Sequence, residues 1–102
     1  MDFDFANFNG FDWNTGNLDH IKKHNVGAKE CEECFLHKPL IITQDKTHSQ
    51  KEERFRVYGH TDKNRLLAMV FTVRNNKIRV ISARNQSNKE KKEFKMVGGD
   101  LA

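Results

Sequence analysis

The chain has 102 residues, 36% hydrophobic and 31% charged, with a formal net charge of +4 at pH 7. That suffices for one core with little apolar material to spare, and no apolar run approaches the roughly 20 residues of a membrane span. Met1–Phe5 carries acids where a secretory signal would carry basic residues, and the two cysteines read as reduced thiols, so a single cytoplasmic domain over residues 1–102 is expected.

In chain order, residues 1–9 are biased toward Asp, Asn and Phe and read as a loose tail, its phenylalanines allowing some packing. Phe11-Asp12-Trp13 is a short extended segment leading to Asn14, a helix N-cap. Leu18 and Ile21 mark one face of a first helix, Lys22-Lys23-His24 suits its C-terminal dipole, and Asn25 is a left-handed cap. Gly27 restarts a second helix, in which Ala28, Cys31, Cys34 and Phe35 form a core-facing stripe, and His37-Lys38-Pro39 stops it.

The remainder reads as a meander. Leu40–Thr43 is strand-like, and a polar loop follows over residues 44–51. Arg54–Gly59 alternates, with Phe55 and Val57 on one face and Arg54, Arg56 and Tyr58 on the other. Leu66–Val73 is apolar throughout, as in a central strand covered on both faces. Asn75-Asn76 is a tight turn into Lys77–Ala83. Ser87 or Asn88 then caps a last helix to about Val97, anchored by Phe94 and ended by Gly98-Gly99, with residues 98–102 a second loose tail. The expected fold is α+β: two N-terminal helices, a four-stranded antiparallel sheet and a C-terminal helix.

Arginines inside strands carry the functional signal. A guanidinium is costly to place in a sheet without an anionic partner, and several on one sheet form a ready phosphate site. Charge is also distributed unevenly. Eight Lys or Arg against two acids lie between Arg74 and Lys95, whereas Glu30, Glu32 and Glu33 cluster earlier. A basic C-terminal face that meets nucleic acid is expected.

Several segments carry a family resemblance between about Phe11 and Phe94. They are Phe11-Asp12-Trp13, Lys23-His24 with Val26, His48-Ser49 with Glu52-Glu53-Arg54, Gly59, Arg65, and Arg79-Val80-Ile81-Ser82-Ala83-Arg84. In this order the chain resembles the BrnT family, the toxin half of a bacterial type II toxin–antitoxin pair. The resemblance implies a RelE-like fold and a ribonuclease that stops translation and is neutralised by a BrnA antitoxin. Asn25 stands where that family usually has glycine, and Gly27 where a serine cap is usual. Both departures touch helix geometry and leave the basic strands intact.

RNA supplies its own nucleophile, the 2′-hydroxyl, so the expected chemistry needs no metal or other cofactor. It needs a base, an acid, and cations around the phosphate. Arg54, Arg79 and Arg84 are the phosphate candidates, with salt-bridged surface arginines as the alternative. His24 and His48 are the acid–base candidates, or merely exposed residues. Glu53 is a second base candidate, or the partner of a neighbouring arginine. Lys23, Arg65, Lys89 and Lys92 are the RNA-binding candidates, with Lys89, Lys91 and Lys92 on a solvated helix face. Cys31-Glu32-Glu33-Cys34 lacks a second ligand pair and reads as core.

The leading reading is a metal-independent endoribonuclease toxin whose partners are RNA and a BrnA-type antitoxin, with operator DNA reached only through that complex. The alternative is a non-enzymatic antitoxin-binding module that contributes to operator binding and autoregulation. Catalysis demands an acid–base group beside the arginines; a binding module demands only the basic face. Arg79 and Arg84, five apart, point to opposite faces of a regular strand. They share a site only if the strand bends or ends near Ser82-Ala83.

Overall fold

Asn75 and Asn76 both adopt left-handed backbone, at φ 51° and 62°, and join two nine-residue strands as a tight hairpin. These strands are β3 (Leu66–Arg74) and β4 (Lys77–Asn85), in a computed structural model that describes residues 7–46 and 51–97. With β1 (Ile41–Gln44) and β2 (Phe55–His60) they form an antiparallel sheet of order β1-β2-β3-β4. Helices α1 (Thr15–Lys22) and α2 (Ala28–Cys34) precede the sheet and α3 (Asn88–Val97) follows it. This is the expected α+β arrangement. The strand β4 runs to Asn85, two residues beyond its expected end.

Alternation divides the sheet into two chemically different faces. Phe55 and Val57 of β2, Leu67, Met69 and Phe71 of β3, and Ile78, Val80 and Ala83 of β4 are buried. They pack with Ile21, Val26, Cys31, Cys34 and Phe35. Phe71 sits among aromatic rings, with Phe35 and Phe55 each 5.3 Å away by ring centroid. Gly59 lets α2 come close, because a Cβ there would lie 3.1 Å from both Cys34 Cβ and Leu40 Cδ1. Burial is the first cause that pushes the Cys31 and Cys34 thiols up to about 12, so both stay protonated as core groups.

The N-terminal segment covers the open edge of β4. Phe11 bridges Ile78 in parallel, the Ile78 N–H donates to the Gly10 carbonyl and the Asp12 N–H donates to the Ile78 carbonyl. Asn14 caps α1 as expected, its side chain accepting from the Gly16 and Asn17 N–H groups. The core-facing residues of α1 are Asn17 and Ile21, whereas Leu18 is 38% exposed, contrary to the expected Leu18–Ile21 face. Asn17 displaces it because the amide satisfies the next edge carbonyl, donating 3.0 Å to Val80 O and 2.9 Å to Asp12 O. The second helix closes at Cys34 with Phe35 as its cap, ahead of the expected stop at residues 37–39. Phe8 packs on the core; the tail phenylalanines Phe3 and Phe5, and the Gly98-Gly99 stop, lie outside the described residues.

Ser87 caps α3 through a reciprocal box: its hydroxyl accepts from the Glu90 N–H and the Glu90 carboxylate accepts from the Ser87 N–H. Phe94, fully buried, holds the helix beside β2, with its ring edge-on to His60 at 6.4 Å. No helix among the described residues is long and apolar enough to cross a membrane.

Candidate active site

The face of the sheet opposite the core carries the polar chemistry. Tyr58, Ala68 and Arg84 lie in one row across β2, β3 and β4, and Arg56, Val70 and Ser82 in the next. Adjacent strands are about 4.8 Å apart, so the small Ala68 leaves Tyr58 and Arg84 facing each other across a shallow trough. Helix α3 closes its end.

A β-bulge decides which arginines share this face. Val70 pairs with Ser82 and Phe71 with Val80, so Ile81 is the extra residue on β4. Val80 and Ala83 therefore both point into the core, and Arg79 and Arg84 both point to the open face despite their odd spacing. The strand does not end at Ser82-Ala83 but runs on to Asn85, and the bulge one residue earlier supplies the change of register that a bend there would give.

The resulting cleft encloses about 500 Å³, walled by Arg54, Arg56, Tyr58, Arg84, Glu90 and His20 over a floor of Val70, Ile81 and Ser82. Buried Asp45 also lines it, 3.6 Å from Arg56. Among the described residues, three arginines face two carboxylates, an excess of one positive charge. A smaller depression of about 200 Å³ adjoins it, lined by Glu52, Arg74 and Arg79, with His20, Arg54 and Ile81 common to both.

Glu90 organises one end of the cleft. Arg84 grips it in a fork, Nη1 donating to Oε1 at 2.6 Å and Nη2 to Oε2 at 3.0 Å, and the Tyr58 hydroxyl donates to Oε2 at 3.2 Å. The Arg84 guanidinium is the first cause that lowers the Glu90 carboxyl to about 2. Partial burial, then the Glu90 charge, raises the Tyr58 hydroxyl above its ordinary value, so it remains a donor. Glu90 and Tyr58 were not singled out as site residues by sequence; the visible signal was the Ser87-x-x-Glu90 capping pattern preceding a basic helix.

The remaining sequence candidates among the described residues are dispersed. Arg79 is 13% exposed and turns to the N-terminal segment, donating 3.2 Å to Asn14 Oδ1 and lying 3.6 Å from Asp12. His24 is exposed in the turn after α1 and lines neither depression; its carbonyl accepts from Arg65. His48 lies outside the described residues. Glu53 is exposed and accepts from Gln44 Nε2 at 3.1 Å. Lys23, Lys89 and Lys92 are exposed.

Arg65 works as a clamp on the opposite side. It donates to Glu30, to the His24 and Asn25 carbonyls and to Asn85 Oδ1, tying the α1–α2 turn to the ends of β3 and β4. The early acid cluster is used similarly: Glu30 holds Arg65, Glu32 accepts from the Trp13 indole, and Glu33 accepts from the Asp62 N–H.

An antiparallel sheet that presents converging guanidinium groups in a solvent-open cleft defines a small α+β protein suited to phosphodiester ligands. Residues 13–90 match the family described as ribonuclease toxin, BrnT, of type II toxin-antitoxin system. The match covers most of the chain, which therefore belongs to that family: a ribonuclease toxin with RNA as substrate and an antitoxin as partner. No curated protein matches the chain.

Proposed function

We propose that this toxin cleaves RNA in the cleft between α1 and α3 without a metal ion, and that this cleavage inhibits translation. The observation that carries the reading is the convergence of Arg54, Arg56 and Arg84 with Tyr58 on one open face. RNA's 2′-hydroxyl removes the need for a metal-activated water. What the protein must supply is cationic charge where the pentavalent phosphate develops it, and guanidinium forks with a fixed hydroxyl donor serve that need. The neighbouring carboxylate Glu90 already occupies the Arg84 fork, as a phosphate oxygen pair would.

The protein acts in the cytoplasm, and a BrnA-type antitoxin neutralises it by covering this cationic face; operator DNA is reached only through the toxin–antitoxin complex. Lys89 and Lys92 on α3 attract RNA at longer range, and Lys23 adds charge at the end of α1. Purified toxin incubated with RNA in excess EDTA should cut it at an undiminished rate. Complete loss of cleavage in EDTA, restored by a divalent ion, would contradict the metal-independent route.

A further inference from the structure

Among the described residues, the cleft contains one histidine, and it is neither of those that sequence favoured. His20 lines both the main cleft and the adjoining depression, at the junction where Arg54 and Ile81 also face both. Its placement is built from below. Asn17, one helical turn earlier, is buried and bonds the Val80 carbonyl on the sheet edge, while Ile21, the next residue after His20, is locked in the core at 1% exposure. With Asn17 and Ile21 both fixed, α1 can neither roll nor slide, and the side chain three residues after Asn17 is carried over the bulge.

We propose that His20 is the general base of the ribonuclease reaction, an assignment that rests on the function proposed above. Its imidazole takes the proton from the 2′-hydroxyl as the 2′ oxygen bonds to phosphorus. The bond from phosphorus to the 5′ oxygen breaks, and that oxygen leaves with a proton from water. The products are a 2′,3′-cyclic phosphate and a 5′-hydroxyl. Among the described residues, the competing groups in the cleft are poor bases near neutrality. Glu90 is held ionised in the Arg84 fork, buried Asp45 lies against Arg56, and Tyr58 is kept as a hydroxyl. Asn17 is then a positioning residue, acting through α1.

The test is cleavage of a labelled oligoribonucleotide in EDTA by the wild type, His20→Ala and His20→Gln, across pH 5–9. His20 is exposed, so both variants should fold, and a thermal melt checks this. Loss of a general base should lower kcat by about 10²–10⁴-fold. KM should stay within about threefold, the acidic limb of the rate profile should disappear, and added imidazole should restore part of the His20→Ala rate. An oligonucleotide with sulfur in place of the scissile 5′ oxygen leaves without needing a proton, and it should remain slow with His20→Ala. Its full rescue would overturn the assignment as base. Folded variants cutting within about threefold of the wild type would remove His20 from the chemistry. If the wild type cut no RNA, the underlying ribonuclease reading would fail as well, a result distinguishable from a fast variant.

Discussion

Arg84→Ala should reduce RNA cleavage by about 10²–10³-fold, the cost of deleting one preorganised donor to a developing oxyanion. Arg84 is 49% exposed on the open face, and its fork is directed along the cleft end where Tyr58 and Glu90 meet. Stability should change too. The substitution strips Glu90 of its bidentate partner, although the Ser87 N–H and the Tyr58 hydroxyl still bond the carboxylate. A half-exposed ion pair is worth about 1 kcal/mol or less, equivalent to a fall of at most roughly 4–8 °C in a domain of this size. Activity should therefore drop far more than folded population. A steady-state assay beside a thermal melt separates the two; a folded Arg84→Ala protein with wild-type cleavage would remove Arg84 from the site.

Phe71→Ala should produce the largest loss of stability. The side chain is fully buried in the middle of β3, stacked on Phe55 and edge-on to Phe35. Deleting a buried phenylalanine costs about 3–5 kcal/mol in lost transfer energy and residual cavity, a large share of the roughly 5–15 kcal/mol that holds a small protein together. The expected fall in Tm is roughly 15 °C or more. Because Phe71 pairs with Val80 directly beside the bulge, cleavage should weaken even where the variant is still folded. A Tm within 5 °C of the wild type would show that the core tolerates the cavity and that this packing account is mistaken.

Much of the architecture was legible because local chemistry and tertiary packing agree. The period-two pattern of β2, the Asn75-Asn76 hairpin, the Asn14 cap and the Phe94 anchor each have a local signature that the fold preserves. Leu18 departs from the expected face because a sheet edge needs a donor for the Val80 carbonyl, and Asn17 supplies it from the core-facing position. The site was legible only in outline. Arginines in strands identified the basic face, but a single extra residue at Ile81 leaves no mark on periodicity and decides that Arg79 and Arg84 share it. Arg65 illustrates the converse, since a guanidinium conspicuous in sequence is consumed by Glu30, Asn85 and two carbonyls. Which histidine reaches the cleft depends on how α1 is rolled against β4, a tertiary quantity that neither His24 nor His20 announces in sequence.

Where RNA sits on the protein tests the account most directly. Backbone amide shifts should be followed as a 2′-O-methyl oligonucleotide, which binds but offers no nucleophile, is titrated into the toxin. Perturbations are predicted to concentrate at Arg54–Tyr58, Val70, Ile81–Arg84 and Glu90, with His20 at the rim. Shifts confined to the Arg65–Glu30 side, with the cleft unperturbed, would contradict the claim that this bulged sheet face is where the toxin handles RNA.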